Sequence, residues 1–245
     1  MRYAVLSDIH SNLVALEAVL DDLAGEAIDR YVCLGDIIGY GARPNQCCDV
    51  IRELGAVTVR GNHDEAAVDT TKAEWFTAPA RACILWTAQQ LRADNLQFLR
   101  ELPPLCVIDD RFTICHGSIP DPDHYTVTPL DALLSLSVME TPVGFFGHTH
   151  YAEWFASADR AHLPSEHPLP AGGIVRTDNG RLYLINPGAV GQPRDGNERA
   201  SYAVYDVETG QVSVRRVEYD IAKTVQQMQA AGLPEAMYAR LWLGV

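Results

Sequence analysis

Short apolar runs and amphipathic stretches alternate through the first half of the chain. Tyr3–Leu6 is the continuous apolar run of a strand covered on both faces, and Leu13, Leu16, Leu20 and Leu23 follow it at helical spacing. The βα unit repeats. Tyr31–Leu34 reads as a strand, Pro44–Leu54 as a helix opened by proline and closed by Gly55, and Ala56–Val59 as a third strand. Helical sequence is expected through Ala78–Leu91 and around Leu96–Leu99, until Pro103 and Pro104 break it. Leu105–Ile108 and Phe112–Cys115 then form a strand pair turned by Asp109 and Asp110, and a helix near Leu130–Leu136 leads to the buried strand Val143–Phe146. From Glu153 onward the pattern changes to consecutive strands: Trp154–Ala156, Gly173–Arg176, Arg181–Ile185, Tyr202–Val207 and Val212–Tyr219. Turns are expected at 177–180 and 208–210, and a helical tail from Ile221. Residues 160–173, rich in Pro and Gly, are expected to form a mobile surface loop rather than a linker.

No linker divides the 245 residues evenly, so residues 1–245 are expected to form a single domain, with 47% hydrophobic residues to fill its core. The formal net charge of −13 repels a nucleic-acid backbone, which argues against nonspecific nucleic-acid binding. It does not exclude a small anionic substrate, because bound cations reverse the local sign of a pocket. Six cysteines without a CxxC pair read as buried free thiols, and Cys115 as core-facing rather than catalytic. The start of the chain, acidic by Asp8, has neither the apolar stretch of a signal peptide nor that of a membrane span. A cytoplasmic protein is expected, without a membrane partner. Nothing in the sequence sets an oligomeric state.

The polar residues of chemical interest fall just after predicted strands. Asp8 and His10 follow the first, Asp36 the second, and Asn62 and His63 the third; His116 follows a later strand, and His148 and His150 another. The carboxyl ends of strands form the ligand crevice of open α/β sheets, so these residues are expected to converge. With His63 set aside, as metal ligands they offer two carboxylates, four imidazoles and one carboxamide. That nitrogen and oxygen set suits manganese, iron or zinc better than calcium or magnesium. Two divalent ions against two aspartates leave about two positive charges to face a phosphate.

The motifs Asp8-x-His10, Gly35–Asp36, Gly61-Asn62-His63-Asp64, His116–Gly117 and Gly147-His148-Thr149-His150 occur in that order. Together they resemble the calcineurin-like metallophosphoesterase family, and Gly35–Gly41 and Asn186–Gly196 are similar to its small bacterial and archaeal phosphodiesterase branch. The resemblance spans roughly residues 5 to 195. It implies a four-layer αββα sandwich of two mixed β-sheets flanked by helices, in keeping with the shift from βα units to consecutive strands. It implies that Asp8, His10 and His150 hold one divalent ion, that Asn62, His116 and His148 hold the other, and that Asp36 bridges them. The ions are expected to be manganese, with iron, zinc or nickel as alternatives.

Paired ions about 3.5–4 Å apart acidify a shared water. The activity this implies is hydrolysis of a small phosphate ester, a diester or monoester such as a nucleotide, by the resulting hydroxide. His63 is expected beside the scissile phosphate, protonating the departing alkoxide or stabilising the equatorial oxygens, with Asp64 setting its tautomer. Arg194 is a candidate phosphate clamp, and Asn12 and Tyr40 are candidate substrate contacts. His124 and Tyr125 follow His116 closely enough to line the pocket. His162 and His167 read as solvated loop residues, and Arg60 as the partner of a carboxylate. Two other functions are compatible with the fold the resemblance implies: a non-catalytic interaction scaffold and a protein serine/threonine phosphatase. A scaffold has no use for the full ligand set or for His63, and the short loops suit a compact substrate.

Overall fold

The computed structural model describes residues 1–178 and 180–245. The expected turn at 177–180 therefore falls partly outside the described residues. Strands β1 (Arg2–Leu6), β2 (Arg30–Cys33) and β3 (Val57–Thr58) alternate with helices α1 (Leu13–Leu23) and α2 (Pro44–Glu53). Helices α3 (Asn62–Val68), α4 (Ala78–Gln90) and α5 (Ala93–Glu101) follow, with a 3-10 turn at Thr70–Trp75. Next come β4 (Leu105–Ile108), β5 (Phe112–Cys115), α6 (Pro129–Val138) and β6 (Val143–Phe145). The second half runs β7 (Ala152–Ser157), β8 (Ser165–Pro168), β9 (Gly173–Arg176), β10 (Leu182–Pro187), β11 (Ala200–Asp206) and β12 (Gln211–Val217). It ends in α7 (Ile221–Ala230), α8 (Glu235–Tyr238) and a 3-10 turn at Ala239–Trp242.

The strands form two six-stranded mixed sheets, ordered β3-β2-β1-β11-β12-β9 and β4-β5-β6-β10-β7-β8. Alternation along β1 explains the layering. Tyr3 and Val5 enter the apolar layer between the sheets, while Ala4 and Leu6 face the helices. Helix α1 covers the first sheet with Leu16, Val19 and Leu23, and α2 adds Cys47, Cys48 and Ile51. Helix α6 covers the second sheet with Ala132 and Leu136 against Phe146, Phe155 and Leu184. Between the sheets Phe112 meets Tyr3, Phe145 and Tyr205 edge-on, with ring centroids 5.0 to 5.6 Å apart. This is the αββα architecture implied by the resemblance.

Two local expectations are corrected. Residues 160–173 do not form a bare loop, because Ser165–Pro168 pairs antiparallel with β7 and His167 stacks on Trp154 at 3.9 Å. The stretch lacks apolar alternation because it is an edge strand, paired on one side only. The segment after Asn62 forms helix α3, which sequence periodicity did not mark. Asp64 closes a capping box there by accepting the Gly61 N–H at 3.0 Å.

Candidate metal centre and active site

Strands β1, β2 and β3 run parallel in one sheet, and β5, β6 and β10 run parallel in the other. The residues following them meet at one rim of the sandwich. Asp8, His10, Asp36, His148 and His150 all adopt left-handed backbone angles, with φ between 50° and 67°. They make up five of the eight non-glycine residues of that kind among the described residues. Side chains there cost backbone energy, so such a cluster has to be held by its surroundings. The restraint is visible: Asp8 N–H donates to Gly35, His10 N–H to Asp36, and Gly191 N–H to Asp8, all at 2.9 to 3.1 Å. Gly61 lets the loops approach, since a Cβ there would lie 2.1 Å from Asp36 Oδ1.

Asp36 Oδ2 lies 3.5 Å from His10 Nε2 and 3.4 Å from His116 Nε2. On one side His10 Nε2 and His150 Nε2 are 3.0 Å apart, and His150 Nε2 is 3.3 Å from Asp8 Oδ1. On the other side His116 Nε2 is 3.1 Å from His148 Nδ1 and 3.2 Å from Asn62 Oδ1. Donors on a common ion at about 2.1 Å stand roughly 3.0–3.4 Å from one another, so these spacings fit two ions sharing Asp36. Two ligand groups result, Asp8–His10–Asp36–His150 and Asp36–His116–His148, all buried.

The outer hydrogen bonds point the same way. His116 Nδ1 faces the Leu34 carbonyl at 2.8 Å, His150 Nδ1 faces Gln192 at 2.6 Å, and His148 Nε2 faces Asp123 at 3.2 Å. Each carbonyl takes a ring N–H and turns the other nitrogen's lone pair inward. Converging lone pairs repel unless a cation or a proton lies between them. Burial pulls His10, His148 and His150 below the ordinary imidazole range. Burial acts on His116 as well, yet Asp36 and Asp8 hold its imidazolium up to about 10. A divalent cation held there would take over the role of that proton. The donor set therefore fits a pair of divalent ions.

Beside this cluster opens a cavity of about 570 Å3, whose lining includes Tyr40, Asn62, His63, Tyr125, His148 and Arg194. The Tyr40 hydroxyl joins two of these, lying 3.0 Å from His63 Nε2 and 3.1 Å from Arg194 Nη2. Burial pushes His63 down to about 4, so its ring is neutral at pH 7. Asp64 does not touch the His63 ring, contrary to expectation. Its carboxylate accepts the Gly61 and Ile38 N–H groups, at 3.0 and 3.2 Å, because it is committed to capping α3. Asn12 does not line this cavity either. It caps α1 through Ala15 N–H and bonds Gly191 and Thr224. His124 pairs with Asp131, and Arg60 with Glu65. Trp75, Phe76, Met237 and Arg240 also line the cavity and carry no motif. Trp75 is 91% exposed, and a tryptophan in a polar stretch is the one signal that could have marked this wall in the sequence.

Comparison with known proteins agrees with this geometry. A sequence model of the calcineurin-like phosphoesterase superfamily domain matches residues 1–210. The chain is 37% identical to the uncharacterized protein MJ0912 of Methanocaldococcus jannaschii over 244 residues, covering 98% of this chain and 97% of that protein. It is 26% identical to the phosphodiesterase YfcE of Escherichia coli K12, covering 84% and 88%. A metallophosphoesterase structure from Sphaerobacter thermophilus superposes with a TM-score of 0.90 at 42% identity, covering 100% of this chain and 99% of that one.

Proposed function

This chain belongs to the calcineurin-like phosphoesterase superfamily and is a hydrolase; on that premise we propose that it cleaves a small phosphate ester, diester or monoester, with two divalent ions at the Asp36 cluster. The observation that carries this is the pair of ligand groups sharing Asp36 beside one cavity. In this proposal Asp8, His10 and His150 hold one ion, Asn62, His116 and His148 hold the other, and manganese is the expected metal. When bound, such a pair supplies Lewis-acid polarisation of a phosphoryl oxygen and acidifies water.

The chain's own residues do the rest. Asp36 accepts the main-chain N–H of His63 at 2.9 Å and so ties that residue to the ion-binding carboxylate. A neutral His63 donates a ring N–H to a phosphoryl oxygen or the departing alkoxide, and Tyr40 fixes its orientation. Arg194 clamps the phosphate, its guanidinium steadied by Tyr40 and Gln192. A cavity of about 570 Å3 suits a nucleotide-sized ligand, within the roughly 300–1,000 Å3 of small-molecule pockets. Residues 1–245 act as one domain in this proposal, since the C-terminal helices supply part of the wall. No helix among the described residues is long and apolar enough to cross a membrane. Six unpaired cysteines, five of them buried, support a cytoplasmic setting.

The test is to strip the metal, reload with manganese, and measure cleavage of bis(p-nitrophenyl) phosphate together with bound metal. Turnover with about two ions per chain is expected. No turnover with any divalent metal, together with near-zero bound metal, would refute the proposal and leave a scaffold.

A further inference from the structure

The side of the cavity built by the C-terminal segment has no part in the proposed chemistry. Ile221, Met228, Leu233, Met237 and Leu241 pack this segment against Tyr40 and Cys83. That packing brings Arg240 into the cavity on the Arg194 side. Residue 240 lies beyond the stretch matched by the superfamily domain, residues 1–210, whereas every proposed metal ligand lies within it.

The charges of this wall are unbalanced. The chain has 32 acidic residues against 19 basic ones, so carboxylates are plentiful. Even so, neither Arg194 nor Arg240 has a carboxylate side chain within 4.0 Å among the described residues. Arg194 bonds Tyr40 and Gln192 through Nη2, while its buried Nε has no partner. Arg240 Nε donates to the main-chain oxygen of Val245, and its Nη groups make no hydrogen bond among the described residues. Burial and the charge of Arg194 both draw Arg240 below its ordinary value, so the two cations feel each other. The acidic residues of the cavity are Glu65, engaged by Arg60 and Lys72, and Asp123; neither carboxylate lies within 4.0 Å of Arg194 or Arg240. On this wall two half-buried guanidinium groups face the cavity with no acidic side chain within 4.0 Å of them among the described residues, and they form an anion site.

We infer that Arg240 forms a second anion subsite next to the Arg194 clamp, and that the substrate is a phosphate ester whose alcohol half carries a further phosphate. This rests on the hydrolase reading of the neighbouring ion cluster and adds a specificity-determining residue from outside the superfamily domain. Free Nη groups of a guanidinium meeting phosphate form charge-assisted hydrogen bonds, which correspond to roughly 10- to 100-fold in affinity.

The test uses the full manganese-loaded chain and two esters that differ only in a distal phosphate, thymidine 5′-(p-nitrophenyl phosphate) and its 3′-phosphorylated derivative. The wild type is expected to favour the 3′-phosphorylated ester by roughly 10-fold or more in kcat/KM, mainly through KM. R240Q is expected to abolish the preference and R240K to retain part of it. If R240Q does not fold, R240K carries the comparison, with the preference falling at least about threefold. Calorimetric binding of thymidine 3′,5′-bisphosphate against thymidine 5′-phosphate reads the same preference without turnover, so it decides the subsite even if the hydrolase reading fails. Turnover of both esters without preference, or full preference retained in R240Q, would overturn the inference and leave the hydrolase standing.

Discussion

Replacing Glu153 with glutamine should change how stability depends on pH. Glu153 is the second residue of β7, 7% exposed, and its Oε1 is buried without a hydrogen-bond partner. Burial, then the nearby carboxylates of Glu166 and Asp195, raise its carboxyl from 4.5 to about 8. A carboxyl raised on folding contributes stability that is fully present below pH 4.5 and is lost as the pH climbs through about 8. At about 1.4 kcal/mol per pH unit the loss has a ceiling near 5 kcal/mol, and solvent relaxation around a rim site reduces it to roughly 2. Glutamine keeps the shape and never ionises. Urea unfolding should therefore give near-equal stabilities for the two proteins at pH 5, and a glutamine variant about 2 kcal/mol more stable at pH 9. Parallel stability profiles between pH 5 and pH 9 would show that Glu153 is not held protonated and would refute the reasoning.

Asp36→Ala removes the carboxylate shared by both ligand groups, so bound manganese measured by mass spectrometry should fall from about two ions per chain to less than one. His63→Asn should lower kcat about 10²- to 10⁴-fold on an aryl phosphodiester while bound metal stays the same, because the ring acts on the leaving group. Tyr40→Phe removes the hydroxyl between His63 and Arg194 and should lower kcat/KM about 10-fold, again without metal loss. Gly191→Ala would put a Cβ 1.8 Å from the Ile9 carbonyl and push the Asp8–His10 loop away from its support. A loss of roughly 3 kcal/mol is expected, seen as about a 6–12 °C drop in Tm by thermal unfolding.

Much of this protein could be read along the chain, because the signals are local. The apolar run Tyr3–Leu6 in β1, the leucine spacing of α1, the proline that opens α2 and the Asp109–Asp110 turn each reflect short-range rules of burial and backbone sterics. The ligand candidates were legible for the same reason, since each sits in a short motif just after a strand. Edge strand β8 was missed because one-sided pairing demands no apolar alternation, and helix α3 because its N-terminus coincides with the Asn62–Asp64 motif.

What the sequence could not decide was which groups share an environment. Asp64 adjoins His63 in the chain, yet its carboxylate points into the helix cap, and Tyr40, 23 residues away, meets the ring instead. Asn12 sits beside the Asp8–His10 motif but is spent on capping α1. Arg240 lies outside every motif and reaches the cavity only because α7 and α8 fold back onto Tyr40 and Cys83. Ligand identity is a property of residue type at a strand end, which sequence records. Hydrogen-bond partnership, unpaired charge and cavity shape depend on distances between segments far apart in the chain, and only the packing of the two sheets and their helices sets those.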